Sequence, residues 1–181
     1  IDLVLPHQGD VGVLMQAGVL QSALVSRGEW WRLITSGFIH FGFLHIVFNS
    51  YALWLGGTVV EYFYGSPRYA LIYSLALLGG SFAAYYTTLG SPVSTAGASG
   101  AIMGVFGAMF VLGLKLPPLR QILIQNAVLP IILTLANGFM NPGISNAAHI
   151  GGAITGALVA LALRPARAEQ VLNAYRAPAI G

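Results

Sequence analysis

The stretch "STAGASGAIMGVFGAMF", Ser94–Phe110, carries no charge and is built almost wholly from small and apolar residues. Gly100, Gly104 and Gly107 recur at helical spacing, so one face of the helix is nearly bare backbone. Glycine weakens a helix exposed to water. In lipid the backbone has no other partner than itself, and such a helix forms and packs closely against a neighbour. One hydroxyl, Ser99, stands at its start between Gly97 and Gly100. Either the hydroxyl is incidental to a packing face, or it is there to react.

The rest of the chain takes the same side. Of its 181 residues, 56% are hydrophobic and 7% charged, with a mean hydropathy of +0.77. An ordinary soluble domain carries about 25% charged residues. Five apolar runs approach the roughly 20 residues that a membrane helix needs: Phe41–Tyr62, Tyr69–Leu89, Ser99–Leu114, Leu119–Phe139 and Asn146–Leu163. The expected fold class is all-α, a polytopic membrane helix bundle of five spans whose partner is the lipid bilayer. The expected organisation is a single membrane domain. An outer interfacial segment covers residues 1–40, the five helices 41–164, and a cytoplasmic tail 165–181.

Charge gives the orientation. Arg68, Lys115, Arg120, Arg164, Arg167 and Arg176 fall at connections that share one side of a five-span chain. Arg27 and Arg32 lie before the first span, on the other. Basic residues collect on the cytoplasmic side, so the C-terminus is expected inside and the segment before His40 outside. The net charge of +3 is read this way and not as nucleic-acid affinity. No signal peptide is visible at the start, and an outward N-terminus implies an earlier helix. With no cysteine, disulfides, thiolate nucleophiles and Cys-ligated metals are excluded. Trp30 and Trp31 beside Arg27, Glu29 and Arg32 read as a segment half sunk in the interface. The run "NGFMNPGISNAA", Asn137–Ala148, reads as a mobile connection between the last two spans.

Polar groups inside spans are costly and therefore informative. In "HFGFLHIVFNSYALWLGG", His45 and Asn49 are four apart and share one helix face near the start of the first span. Alone, such a pair can serve as interhelical glue. His149 begins the fifth span in "AHIGGAITGAL", with Gly152 and Gly156 on its face. Alone, it can cap the helix above a packing stripe. Taken together the three places converge. Spans one, three and five run in one direction, so His45 and Asn49, Ser99 and His149 lie at one depth. The facing glycines let the helices of Ser99 and His149 approach.

The chemistry that fits is acyl transfer: histidine is suited to take the serine proton, and His45, Asn49 and the Ser99 amide are candidate donors for the oxyanion. The five acidic residues, Asp2, Asp10, Glu29, Glu61 and Glu169, are all remote from His149 in sequence. Glu61 stands about 18 Å along its helix from Asn49. A Ser–His dyad with no third acid is therefore expected. No cofactor or metal is expected, and cleavage should fall as pH drops through the histidine range, near 6.5 before any effect of burial.

These residues resemble the rhomboid intramembrane serine proteases. The resemblance rests on Trp31-Arg32, His40-x4-His45-x3-Asn49, Glu61-x3-Gly65, Gly97-Ala98-Ser99-Gly100, and Ala148-His149 followed by Gly152 and Gly156, in the family's order along nearly the whole chain. It implies a six-helix core with Ser99 as nucleophile and His149 as general base. His45, Asn49 and the Ser99 amide would form the oxyanion site, supported by His40. Trp31 and Arg32 would belong to the outer loop, and Glu61 would tie down the first loop on the cytoplasmic side. Gly97, Gly100 and Met103 would surround the serine, with Gly104, Gly152 and Gly156 as packing positions. Substrates would be membrane-spanning proteins cut near the outer edge of their helix. The fourth span and Asn137–Ala148 would form gate and cap.

Two departures from the pattern stand out. The family's core has a helix before the outer loop, and the chain is expected to start after it. Met103 occupies a position where many members carry an aromatic ring. The compact chain fits a bacterial inner membrane. The competing functions are a catalytically silent rhomboid-like client-binding protein, and a channel or transporter with its histidines along a polar path.

Overall fold

A computed structural model describes residues 11–176. Residues 1–10 of the outer segment and 177–181 of the tail lie outside the described residues, and with them Asp2, Pro6, Gly9 and Asp10.

The outer segment folds as short pieces: α1 (Val11–Ala17), β1 (Leu20–Gln21), α2 (Ser22–Ser26), α3 (Arg32–Thr35) and a 3-10 turn at Ser36–Phe38. Five long apolar helices follow, α4 (Phe43–Tyr64), α5 (Ser66–Thr87), α6 (Ser99–Lys115), α7 (Arg120–Met140) and α8 (Asn146–Ala162), then a short α9 (Ala168–Arg176). The fold is a helical membrane bundle. Helices α4 and α5, and α7 with its preceding turn from Pro117, are long and apolar enough to cross a bilayer. α6 and α8 have 17 residues each, about 25 Å at 1.5 Å per residue. α6 is interior: every residue from Gly100 to Gly113 is buried except half-buried Phe110, whereas α8 buries one face, Ala148, His149, Gly152, Gly156 and Ala160, and exposes Ile154 and Leu158 on the other.

α6 is the axis of the bundle, with α4, α5, α7 and α8 packed around it. Its contact with α8 is backbone on backbone. A Cβ on Gly152 would overlap the Gly100 carbonyl, one on Gly156 the Gly104 carbonyl, and one on Gly107 the Ala153 carbonyl. α5 joins the junction, since a Cβ on Gly80 would stand 2.7 Å from the Ala148 oxygen. With no apolar driving force between helices in lipid, close backbone packing of this kind holds them together.

The ends of the helices are tied by polar contacts. At the serine end, β1 pairs with β2 (Ser94–Thr95), Leu20 opposite Thr95 and Gln21 opposite Ser94. The buried Ser22 hydroxyl bonds the Tyr85 carbonyl at 3.0 Å and the Thr88 hydroxyl, seating the outer segment on α5. Arg32 is buried, paired with Glu29 at 2.7 Å, and donates to the Val19 carbonyl at 3.0 Å, while Trp30 and Trp31 are exposed. At the opposite end, Gly65 (φ 80°) turns α4 directly into α5. That end also gathers Arg68, Lys115 and Arg167, which donate to Tyr64, to Ala160 and to Tyr62.

The connection between α7 and α8 is shorter than its composition implied. Helix α7 runs to Met140 and α8 starts at Asn146. Asn141 Nδ2 bonds the Asn137 carbonyl at 3.1 Å at the end of α7, and Ser145 Oγ accepts the Ala148 N–H at 3.2 Å as the cap of α8. The Asn and Ser residues that read as loop are helix-capping residues.

Candidate active site

Ser99 is the first residue of α6 and His149 lies one turn into α8. Because the two backbones touch, the side chains meet: His149 Nε2 is 2.8 Å from Ser99 Oγ. In a neutral ring, an Nε2 that accepts the serine proton leaves the other proton on Nδ1. His149 Nδ1 is buried and makes no hydrogen bond among the described residues, and no carboxylate reaches it there.

His45 and Asn49 approach from α4. The segment before the serine brings Gly97 against them: its N–H bonds the Ser36 carbonyl at 2.9 Å, and its φ is 121°. A Cβ at position 97 would stand 2.8 Å from His45 Nε2 and 3.8 Å from Asn49 Nδ2. Glycine is thus required for its backbone angle and for space. His45 Nδ1 accepts the Phe41 N–H at 3.2 Å. A nitrogen that accepts cannot carry the proton, so neutral His45 carries it on Nε2, which lies beside Gly97. Asn49 Nδ2 is buried with no hydrogen bond among the described residues. Ser99, as the first helical residue, has an amide with no carbonyl partner within the helix. His45, Asn49 and Ser99 thus share the lining of one cavity.

These groups line a cavity of about 1050 Å³ between α4, α6, α7 and the start of α8. Ser99, His149, His45 and Asn49 belong to its polar lining, and Phe48, Phe106 and Leu133 to its apolar wall. Met103, one turn below Ser99, is 3% exposed and lines the same cavity, as does Gly100.

The remaining sequence candidates lie elsewhere. His40 is buried beside the site, its ring edge-on to His45 with centroids 5.0 Å apart. Arg32 and Trp31 are in the outer segment. Glu61 is near the far end of α4, where its backbone carbonyl accepts the Gly65 N–H at 2.7 Å. Its side chain makes no hydrogen bond or ion pair among the described residues. Gly104, Gly152 and Gly156 are in the α6–α8 contact. Sequence reasoning passed over Ser36, whose carbonyl positions Gly97, and Phe41, whose amide sets the His45 tautomer. Backbone groups of this kind leave no trace in residue identity.

The rhomboid domain family model matches residues 27–166, the span that holds all of these groups. The chain belongs to the rhomboid family. It is 42% identical over 154 residues to rhomboid protease GluP of Bacillus subtilis, covering 83% of this chain and 29% of that protein. It is 35% identical to rhomboid protease AarA of Providencia stuartii, covering 83% of this chain and 61% of that protein. RHOMBOID-like protein 5 of Arabidopsis thaliana is 34% identical over 160 residues, covering 86% of this chain and 52% of that protein. The chain thus spans between about a third and two thirds of the length of these rhomboid relatives.

Proposed function

We propose that the chain is an intramembrane serine endopeptidase. It cleaves membrane-spanning proteins near the outer face of the bilayer by a Ser99–His149 dyad. The observation that carries this reading is the 2.8 Å contact between Ser99 Oγ and His149 Nε2 at the wall of a cavity shared with His45 and Asn49. Two of these relatives, GluP and AarA, are named as rhomboid proteases, in keeping with this reading.

The steps follow from the donors. Neutral His149 takes the Ser99 proton as Oγ attacks the scissile carbonyl carbon. The resulting oxyanion accepts from His45 Nε2–H, Asn49 Nδ2–H and the Ser99 amide. His149 returns the proton to the leaving amine as the C–N bond breaks. Water then attacks the acyl-serine with His149 again as base, releasing the new carboxyl terminus and restoring Ser99.

The whole described region works as one membrane domain with the outer segment folded over it. The serine end faces outward and the basic end faces the cytoplasm, in a bacterial inner membrane. Substrate reaches the cavity past the half of α7 that follows Pro130. Pro130 gives no N–H to the Asn126 carbonyl, so the helix is weakest there. The first half of α7 is anchored, with Leu123 and Ala127 buried, and the second half covers the cavity through Leu133, Thr134 and Asn137.

The test is cleavage in liposomes of a single-span substrate with small residues near its outer edge. The wild-type chain is expected to cut it, and Ser99→Ala and His149→Ala are not. Cleavage by Ser99→Ala at the wild-type rate contradicts the reading.

A further inference from the structure

At the end of the bundle opposite Ser99, Lys115 Nζ donates to three carbonyls: Ala160 at 2.6 Å, Leu161 at 2.9 Å and Leu163 at 2.6 Å. An ammonium has three protons, and all three are spent on the last turn of α8. The Tyr64 hydroxyl, fully buried on α4, donates to the same Ala160 carbonyl at 3.2 Å. Just beyond, the Arg167 N–H bonds the Phe63 carbonyl at 3.1 Å and its guanidinium lies 4.4 Å from the centre of the Tyr62 ring. The C-terminal ends of α4, α6 and α8 are thus locked together, with Lys115 at the centre.

We infer that Lys115 is a positioning residue for the Ser99–His149 pair, fixing the axial register of α6 against α8 from the far end. The inference rests on the dyad reading above. Three observations lead to it.

The first is the nature of the interface. α6 and α8 meet through Gly100, Gly104 and Gly107 on one side and Gly152, Ala153 and Gly156 on the other. Along the glycine stripe the contact is backbone on backbone, and α8 side chains that pack on the core beside it, Ala153, Ala157 and Ala160, are small, so few side chains interlock to resist sliding. A smooth contact of this kind leaves the register to be fixed in part by ties outside it.

The second is direction. Both helices begin at the site and end at Lys115 and Ala162, so they lie side by side in the same sense and their negative C-terminal ends are neighbours. Parallel dipoles in contact repel. An ammonium on the end of one helix, bonded to the free carbonyls of the other, converts that repulsion into a tie.

The third is stiffness. A helix bends far more readily than it stretches, so an axial displacement at one end appears nearly whole at the other. Ser99 and Lys115 are about 24 Å apart along α6. A slip of a few tenths of an ångström at the base would be passed to the 2.8 Å Oγ–Nε2 contact. Reaction rates respond strongly to such displacements: about 1 Å can cost a hundredfold.

The experiment compares wild type with Lys115→Met and Lys115→Arg, purified in detergent and assayed well below each variant's own melting temperature. Lys115→Met keeps the unbranched stem, one atom shorter, and loses the donors, and Lys115→Arg keeps several donors. The readouts are kcat and KM for a transmembrane substrate, and the labelling rate by a small fluorophosphonate. Lys115→Met is expected to lower kcat and labelling together by about tenfold with KM nearly unchanged, and Lys115→Arg to restore most of the loss. Tyr64→Phe, which removes one donor from the shared Ala160 carbonyl, is expected to act in the same direction with a smaller effect. Unchanged kcat in Lys115→Met, or a loss that appears only as a lower melting temperature and is not repaired by Lys115→Arg, overturns the inference. Ser99→Ala run in parallel separates the failures. If it is inactive while Lys115→Met retains full kcat, the positioning role alone falls. If it labels like wild type, the dyad reading falls and this inference with it.

Discussion

A Cβ at Gly152 would overlap the carbonyl oxygen of Gly100, one residue from the nucleophile. No rearrangement of a flexible side chain relieves this, because the obstacle is backbone. Gly152→Ala is therefore expected to push α8 from α6, costing about 1–3 kcal/mol in stability and lengthening the path between His149 and Ser99. Thermal unfolding and fluorophosphonate labelling should both report it. Gly143→Ala, at a position where a Cβ meets nothing within 4 Å, should leave both near wild type.

The donors around the serine give a second expectation. His45→Ala and Asn49→Ala each remove one partner of the developing oxyanion. Each is expected to lower kcat by about 10²–10³-fold with a smaller change in KM. Equal losses in kcat and labelling, with folding preserved, would mark the defect as one in the reaction itself. A fall confined to KM would assign these residues to substrate binding.

Acidification tests the base. Only neutral His149 can take the serine proton, so activity is present above the pKa of His149 and lost as pH falls through it, with the slope of a single proton. The labelling rate as a function of pH should follow one such titration. A rate that rises on acidification would contradict the assignment.

Pro130 offers a test of how substrate arrives. Pro130→Ala adds an N–H that can bond the Asn126 carbonyl, continuing the α7 ladder and stiffening the helix. Cleavage of a transmembrane substrate should fall several-fold more than labelling by a small probe. Equal changes in the two would place the access route elsewhere.

Much of this was readable in the sequence, for identifiable reasons. Apolar runs fix spans, and the five helices begin and end within three residues of the runs read from hydropathy. The meeting of Ser99 with His149 followed from the parity of spans and from facing glycines. What was not legible depends on backbone groups or on distant partners. The two-residue pairing of β1 with β2 has no pattern long enough to see. The sequence reads residues 165–181 as tail, whereas in the structure Ala168, Val171 and Leu172 of α9 recur at helical spacing and pack on the core. Lys115 entered the sequence reading only as a charge that sets orientation. Its three acceptors are carbonyls 45 to 48 positions away, and no residue type encodes them.

The central claim is that Ser99 is a nucleophile because His149 takes its proton. The most direct measurement is covalent labelling of the detergent-solubilised protein by a serine-directed fluorophosphonate, for wild type, Ser99→Ala and His149→Ala side by side. The account predicts labelling of the wild type alone, with the adduct mapped to Ser99. Equal labelling of all three proteins would contradict it.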